Sequence, residues 1–327
     1  MSMSCRTSFL RLTTFRHIVL IAAMLLIFFF PLASFCDEDG EERTTVPLRI
    51  EFEGAKRTAR KALLRILKLG EAALPGELSA AELRAKLLNT HLFSFVGVIV
   101  EELPNEIIVR IKVKERLTPA PIPIFYTHKE ETGGGLFLFD PNFLGLQKII
   151  VLGALVSTNG ERYQAIYMDN DLLGSRWTLF ARGVYGENEL RRWRGNEEVF
   201  AYFQTFTNVM LTVGYKVTDR LVPMFGAAYR RQQTDDVEPY PAPPDDLLSH
   251  ALILSVRYSN ANYRDYYDEG MTIFFLLDQA TGLLGSERDF THVALSCDFT
   301  RLLWRHALLR LEGEWGGSAG QMDILTY

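Results

Sequence analysis

Residues 249–259 read S-H-A-L-I-L-S-V-R-Y-S. From Leu252 onward they alternate, with Leu252, Leu254, Val256 and Tyr258 on one face and Ser255, Arg257 and Ser259 on the other. Ile253 is the apolar intrusion on the polar face. Side chains on a strand change face at every residue, so this is a strand apolar on one side and polar on the other. The same period returns at 207–217, 291–300 and 307–315. Several strands of this kind fit either a soluble sandwich or a membrane barrel whose polar row lines the lumen.

The 327 residues are 48% hydrophobic and 23% charged, which excludes a disordered chain and leaves room for two domains. A net charge of −5 with no Lys/Arg stripe gives no footprint for nucleic acid. Cys5, Cys36 and Cys297 imply neither a disulfide framework nor a metal cluster. Arg6, Arg11 and Arg16 precede an apolar run at 18–30, then Pro31 and the small residues Ala33 and Ser34. Residues 1–36 are therefore expected to be a signal peptide cleaved near 34–36, with a retained anchor helix as the other reading. Lipid attachment at Cys36 is disfavoured by the bulky Phe35 before it. Residues 37–45 (D-E-D-G-E-E-R-T-T) read as a polar linker.

Residues 46–116 read as a compact α/β unit. A strand at 47–52 is followed by a helix capped by Thr58 and running to 69, with Ala59, Leu63, Ile66 and Leu67 on one face. The basic residues around it, Lys56, Arg57, Arg60, Lys61 and Arg65, read as a solvated face. Ser79 and Glu82 form a capping box for a second helix to about 89. Strands follow at 95–101 and 107–114, the first placing Val96, Val98 and Val100 together. The order is β-α-α-β-β.

With G-A-K-R-T at 54–58, L-L-N-T-H-L-F-S-F-V at 87–96 and V-K-E-R at 113–116, this unit resembles a POTRA domain of the BamA/TamA-like outer-membrane assembly proteins. The resemblance implies a periplasmic domain whose sheet edge binds a client by adding a strand. The candidate pairing strand here contains Phe95, Val96, Val98 and Val100.

Residues 117–123 (L-T-P-A-P-I-P) form a stiff Pro-rich connector. Beyond it the sequence predicts eleven strands, near 122–131, 133–142, 147–158, 162–170, 176–187, 197–217, 220–234, 249–262, 270–280, 288–302 and 305–317. Gly133-Gly134-Gly135, Asn159-Gly160 and Asp268-Glu269-Gly270 are among the expected turns. Short turns sort to one end and the long polar segments 189–196 and 235–246 to the other, the asymmetry of outer-membrane barrels. Ser255, Arg257, His292, Asp298, Arg310 and Glu312 are the candidate lumen-facing residues, opposite apolar rows fit for lipid. Tyr215, Tyr258, Phe299 and Trp315 could form interfacial girdles. Lys148–Leu155 and Met271–Leu277 are apolar on both faces, which implies a plug inside or a different register.

Residues 135–146 (G-L-F-L-F-D-P-N-F-L-G-L), with an Asn-x-Leu-Gly turn, and 256–275 extend the resemblance into that family's surface-antigen-type barrel. The fold implied is a POTRA-like domain followed by an antiparallel transmembrane β-barrel over 122–327. The family's barrel has about sixteen strands and an R-G-F loop after the eleventh, whereas this sequence stops at Tyr327. An open sheet in hydrocarbon cannot satisfy its edges, so the resemblance implies a C-terminally truncated barrel or closure with another chain.

The chemistry of an enzyme is not legible. His292, Ser296 and Asp298 share a face, but residues two and four apart along a strand lie roughly 7 and 13 Å apart, too far for a triad. Asp169-Asn170-Asp171 and Asp235-Asp236 read as solvated loops rather than cation sites. No cofactor, metal or nucleic-acid motif is present. The expectation is an exported, non-enzymatic outer-membrane protein that assists insertion or translocation of other proteins by strand addition. The first barrel strand, with Ile122, Ile124 and Tyr126, would pair with the client beside a seam weakened by Gly133–Gly135. Its implied partners are the outer-membrane bilayer, an unfolded outer-membrane or secreted client, and accessory assembly proteins. The alternatives are a passive pore or secretion channel and a soluble or lipid-anchored β-rich binding protein.

Overall fold

The computed structural model describes residues 46–320 except 71, 75–77, 129–130, 195–196, 238–244, 265–266 and 305–306. The expected signal peptide and linker lie outside the described residues.

The first sheet is built from β1 (Val46–Glu53), α1 (Arg60–Leu67), β2 (Ala72–Ala73), α2 (Ala80–Leu88), β3 (Phe93–Leu103) and β4 (Glu106–Glu115). Its strand order is β2-β1-β4-β3, with β1 and β4 parallel. The expected β-α-α-β-β order is present, and the two-residue β2 is an addition to it. In β4, Ile107, Val109, Ile111 and Val113 point under the helices, where they meet Leu63 and Leu67 of α1 and Leu83 and Leu87 of α2. A register shift between Phe93 and Phe95 turns both Phe93 and Val96 into this core while Phe95 faces out.

The two helix starts differ. At α2, Ser79 accepts the Glu82 N–H at 3.4 Å as the capping box requires, while the Glu82 carboxylate turns to Lys86 at 2.9 Å. At α1 the expected Thr58 cap is not formed, and Ala59 is the N-cap residue. Thr58 is taken by a partner distant in sequence: its hydroxyl and its N–H donate to Glu115 Oε1 at 2.6 and 2.7 Å.

The second sheet contains β5 (Ala120–His128), β6 (Glu131–Phe143), β7 (Lys148–Ser157), β8 (Gly160–Asp169), β9 (Trp177–Arg194), β10 (Glu197–Tyr215), β11 (Leu221–Asp236) and β12 (Leu247–Ser259). It continues through β13 (Asn262–Arg264), β14 (Tyr267–Ala280), β15 (Phe290–Trp304) and β16 (Ala307–Gly320). The strands pair in chain order from β5 to β16, and the short β13 pairs with β14 beside that path. The eleven long strands are those the sequence predicts. All are antiparallel, and the sheet is not closed, because β5 and β16 form its two edges.

Two expected turns and most of one expected loop are strand instead. Gly133–Gly135 lie inside β6, paired with Tyr126, Phe125 and Ile124. A Cβ on Gly133 would stand 2.7 Å from the Tyr126 ring, and one on Gly135 would stand 2.1 Å from the Ala154 carbonyl, so bare backbone is needed for packing rather than for turning. Residues 189–194 and 197–203 continue β9 and β10 as one long hairpin, pairing Leu190 with Tyr202 and Glu189 with Phe203. Asp268, Glu269 and Gly270 open β14, where Asp268 and Glu269 pair with Tyr263 and Asn262 of β13. With 189–196 mostly strand, the longest connections at that end are 237–246 and 281–289.

Candidate functional site

Continuous registers assign each side chain to a face. On the outward face of β10 lie Val209, Leu211, Val213 and Tyr215, opposite Gly183, Ala181, Leu179 and Trp177 of β9. Trp177 and Tyr215 meet edge to face at 5.2 Å, while Tyr163 and Tyr185 stack at 6.4 Å farther along the same face. From Trp177 to Tyr185 the strand covers roughly 27 Å, or about 20 Å along the normal at a tilt of ~40°. That is close to the apolar band of an outer-membrane barrel, bounded by aromatic residues at both margins. Tyr258, Phe299 and Trp315 lie on the same outward face.

The concave face carries Ser255, Arg257, His292, Asp298, Arg310 and Glu312 in one register. His292 Nδ1 is 2.9 Å from Ser318 Oγ, and Arg310 is ion-paired with Glu312. From β5 to β7 this face is apolar, with Ile122 and Ile124 beside Phe137, then Val151 and Leu155. The registers of β7 and β14 are regular, so these strands do present apolar residues on both faces.

From β8 onward the concave face turns polar. Arg230 of β11 and Asp278 of β14 are buried and hydrogen-bonded through two pairs of atoms. Beside them a cavity of about 180 Å³ is lined by Arg162, Gln164, Arg182, Gln204, Arg230 and Ser249, among others. Sequence reasoning missed this cluster. Its signal was weak because R-R-Q-Q at 230–233 doubles each residue type and hides the alternation.

The candidate pairing strands occupy edges of two different sheets. β3 pairs with β4 alone among the described residues, with Val96 buried, Val98 and Val100 packed on the core, and Phe95 exposed. β5 pairs with β6 alone among the described residues. Along an antiparallel pair, residues alternately exchange both backbone bonds with the neighbour or turn both groups away. Pro121 and Pro123 have no N–H, so the ladder to β6 must run through Ala120, Ile122, Ile124 and Tyr126. Ile122, Ile124 and Tyr126 thus bond inward to β6. The open edge offers carbonyls alone at Pro121 and Pro123, and complete N–H and C=O pairs at Phe125 and Thr127.

The short turns of the large sheet meet the small one. In the β6–β7 turn, Gly145 (φ +71°) brings its carbonyl 2.9 Å from the Ala59 N–H, and a Cβ there would sit 2.2 Å from the Arg57 carbonyl. Asn142 Nδ2 donates to Thr58 Oγ1 at 2.8 Å, and Arg57 bonds Asp140 and Thr118. In the β10–β11 turn, Asp219 accepts from Lys68 Nζ at 2.6 Å, and that contact holds the Asp219 carboxyl below its ordinary pKa. Near β13, the Tyr263 N–H donates to Asn89 Oδ1 at 2.8 Å, Arg116 Nη2 donates to the Tyr263 hydroxyl at 2.9 Å, and His91 lies 3.4 Å from Asp268. Arg57, expected on a solvated basic face around α1, is therefore a docking residue, and Lys68 is another. Asp169 and Asp171, expected in a solvated loop, pair with Lys148 at 3.0 Å and Lys216 at 2.6 Å.

No protein-family model matches the sequence, and no curated protein matches it. Solved structures do. BamA from Haemophilus ducreyi lacking POTRA domains 1–3 superposes with a TM-score of 0.56 at 18% identity, over 87% of this chain and 57% of that one. The fold is shared with the BamA and CdiB barrels. CdiB from Acinetobacter baumannii gives a TM-score of 0.57 at 11% identity, over 86% of this chain and 54% of that one. CdiB from Escherichia coli gives 0.58 at 10%, over 85% and 55%. The likeness to BamA and CdiB covers more of the chain than the large sheet contains, while the chain spans little more than half the length of those proteins.

Proposed function

We propose that this chain is a non-enzymatic outer-membrane protein that handles other proteins by β-strand addition. Residues 46–116 are a POTRA-like periplasmic domain, and the large sheet is the first part of a membrane barrel. Residues 1–36 direct export. The observation that carries this reading is the open β5 edge in a sheet that shares the BamA and CdiB fold, next to a small α/β domain docked on its short turns. An unfolded outer-membrane or secreted client adds a strand there through main-chain bonds, which demand little of its sequence. Pairing starts at Phe125 and Thr127, where the edge has both donors and acceptors, and weakens toward the prolines. The β3 edge offers a second acceptor for an extended segment.

A photoreactive residue at position 125 of the full-length protein, in a Gram-negative host, is expected to capture newly made outer-membrane proteins. The same residue at 152, on the outward face, should not. Equal capture at both positions, or none at 125, would overturn strand addition at β5. The polar concave wall from β8 onward supports a second reading, a passive pore. Ion conductance in planar bilayers that survives deletion of 46–116 would favour it.

A further inference from the structure

Strand addition at β5 makes no use of the cavity on the concave face, whose charges do not balance. Arg162, Arg182 and Arg230 reach it from β8, β9 and β11, and no aspartate or glutamate lines it among the described residues. Asp278, behind it, is engaged by two nitrogens of Arg230. The remaining polar groups are short of partners. Arg182 Nε, Arg230 Nε, Asn188 Oδ1, Gln204 Oε1 and Ser249 Oγ are buried without a hydrogen bond, and Arg230, Gln204 and Ser249 are each more than nine-tenths buried. Unmet polar groups at this depth are costly unless something fills their valence.

The deficit has one chemical sense. Arg182 and Arg230 carry free N–H donors, the Ser249 hydroxyl can donate, and the Asn188 and Gln204 amides, once rotated, present NH2 in place of their oxygens. Two guanidinium planes are held by aromatic rings, Arg162 over Phe206 at 5.4 Å and Arg230 over Phe290 at 5.7 Å; Arg230 gives its terminal nitrogens to Asp278 and keeps its Nε–H for a ligand. A carboxylate is satisfied by a single guanidinium fork, whereas three guanidinium groups approaching from three strands suit a tetrahedral group with an oxygen for each.

We propose that this cavity binds a phosphate-type oxyanion on the lumenal wall, supplied either free or as a lipid phosphomonoester. The full-length protein in nonionic micelles is titrated with inorganic phosphate and followed by calorimetry. Arg182→Gln should weaken binding about tenfold or more, the worth of one charge-assisted hydrogen bond. Arg182→Lys should fall between, because it keeps the charge and loses the fork. Arg220→Gln, in the β10–β11 turn, should bind as the parent does. Arg162→Gln, at the exposed rim, provides the same test if Arg182→Gln does not fold. Displacement of phosphate by phosphatidic acid in the micelles assigns a lipid source, and failure to displace assigns a soluble one; both outcomes support the site. Absence of phosphate binding by the parent, or equal binding by Arg182→Gln, Arg162→Gln and Arg220→Gln, overturns it.

Discussion

The two sheets are written in the same alternation and sort it in opposite directions. In the small sheet the apolar row of β4 lies under two helices, and the polar row faces out, with Arg110 bonded to Glu51 and Glu101, and Lys112 to Glu53. In the large sheet Val209, Leu211 and Leu252 face out and are about half exposed, while Gln204, Arg230 and Asp278 face in and are buried. Alternation therefore establishes that a strand has two faces and is silent about what each face meets. The inversion is the informative observation. Water rewards the first arrangement, and the second is the one expected if the outer face meets lipid, as proposed above.

The largest effects should come from the buried row of each sheet. Phe93→Ala empties the small core and should cost about 3–5 kcal/mol, seen as lost amide-exchange protection in β3 and β4 with β9–β11 still protected. Asp278→Ala strands Arg230 in the concave wall and should cost a similar ~3–5 kcal/mol, this time with protection lost in β11–β14. If Asp278→Ala were silent, the buried polar face would be solvated and the inversion would fail. Leu211 comes next. It pairs with Ala181, midway between the aromatic margins at Trp177 and Tyr185, so Leu211→Arg should destabilise the sheet in bilayers by about 2–4 kcal/mol in urea titrations. Ile99→Arg, on the exposed face of β3, should stay within about 0.5 kcal/mol. Equal costs at the two positions would mean that both outward faces meet water.

Most of this architecture was legible because it is local. Most of the long strands carry their own period of two, β7 and β14 being apolar on both faces, and the helices carry their own apolar stripes. What could not be read depends on partners far away in sequence. Residues 189–194 look like a polar loop, yet they remain strand because β10 pairs with them across the hairpin. Gly133–Gly135 resemble a turn until the rings of Phe125 and Tyr126 are set against them. The register of the β5 edge was within reach, because P-x-P-x-P already states which side can donate to a neighbour. The arginine cavity was not, since it joins side chains from β8 to β15 that come together only when the sheet curls.

A modest effect is expected where the two sheets join. Glu115 accepts the N–H groups of Lys56 at 3.1 Å, Arg57 at 3.0 Å and Thr58 at 2.7 Å, together with the Thr58 hydroxyl. Partial burial pushes its pKa up, but the bonds from Thr58, Arg57 and Lys56 outweigh that and leave the carboxyl below its ordinary value. A carboxyl with a depressed folded-state pKa contributes stability that is complete above the unfolded pKa of about 4.3 and is lost as pH falls through the folded value. Glu115→Gln should therefore cost about 1 kcal/mol at neutral pH, a modest figure because the group keeps contact with water. The difference from the parent should shrink as the pH drops below ~4. Amide protection at residues 56–58 reads this directly. A parent–variant gap that stays constant from pH 7 to pH 3 would mean that Glu115 acts by shape and not by charge, and that the ordinary polar joint between the sheets owes nothing to ionisation.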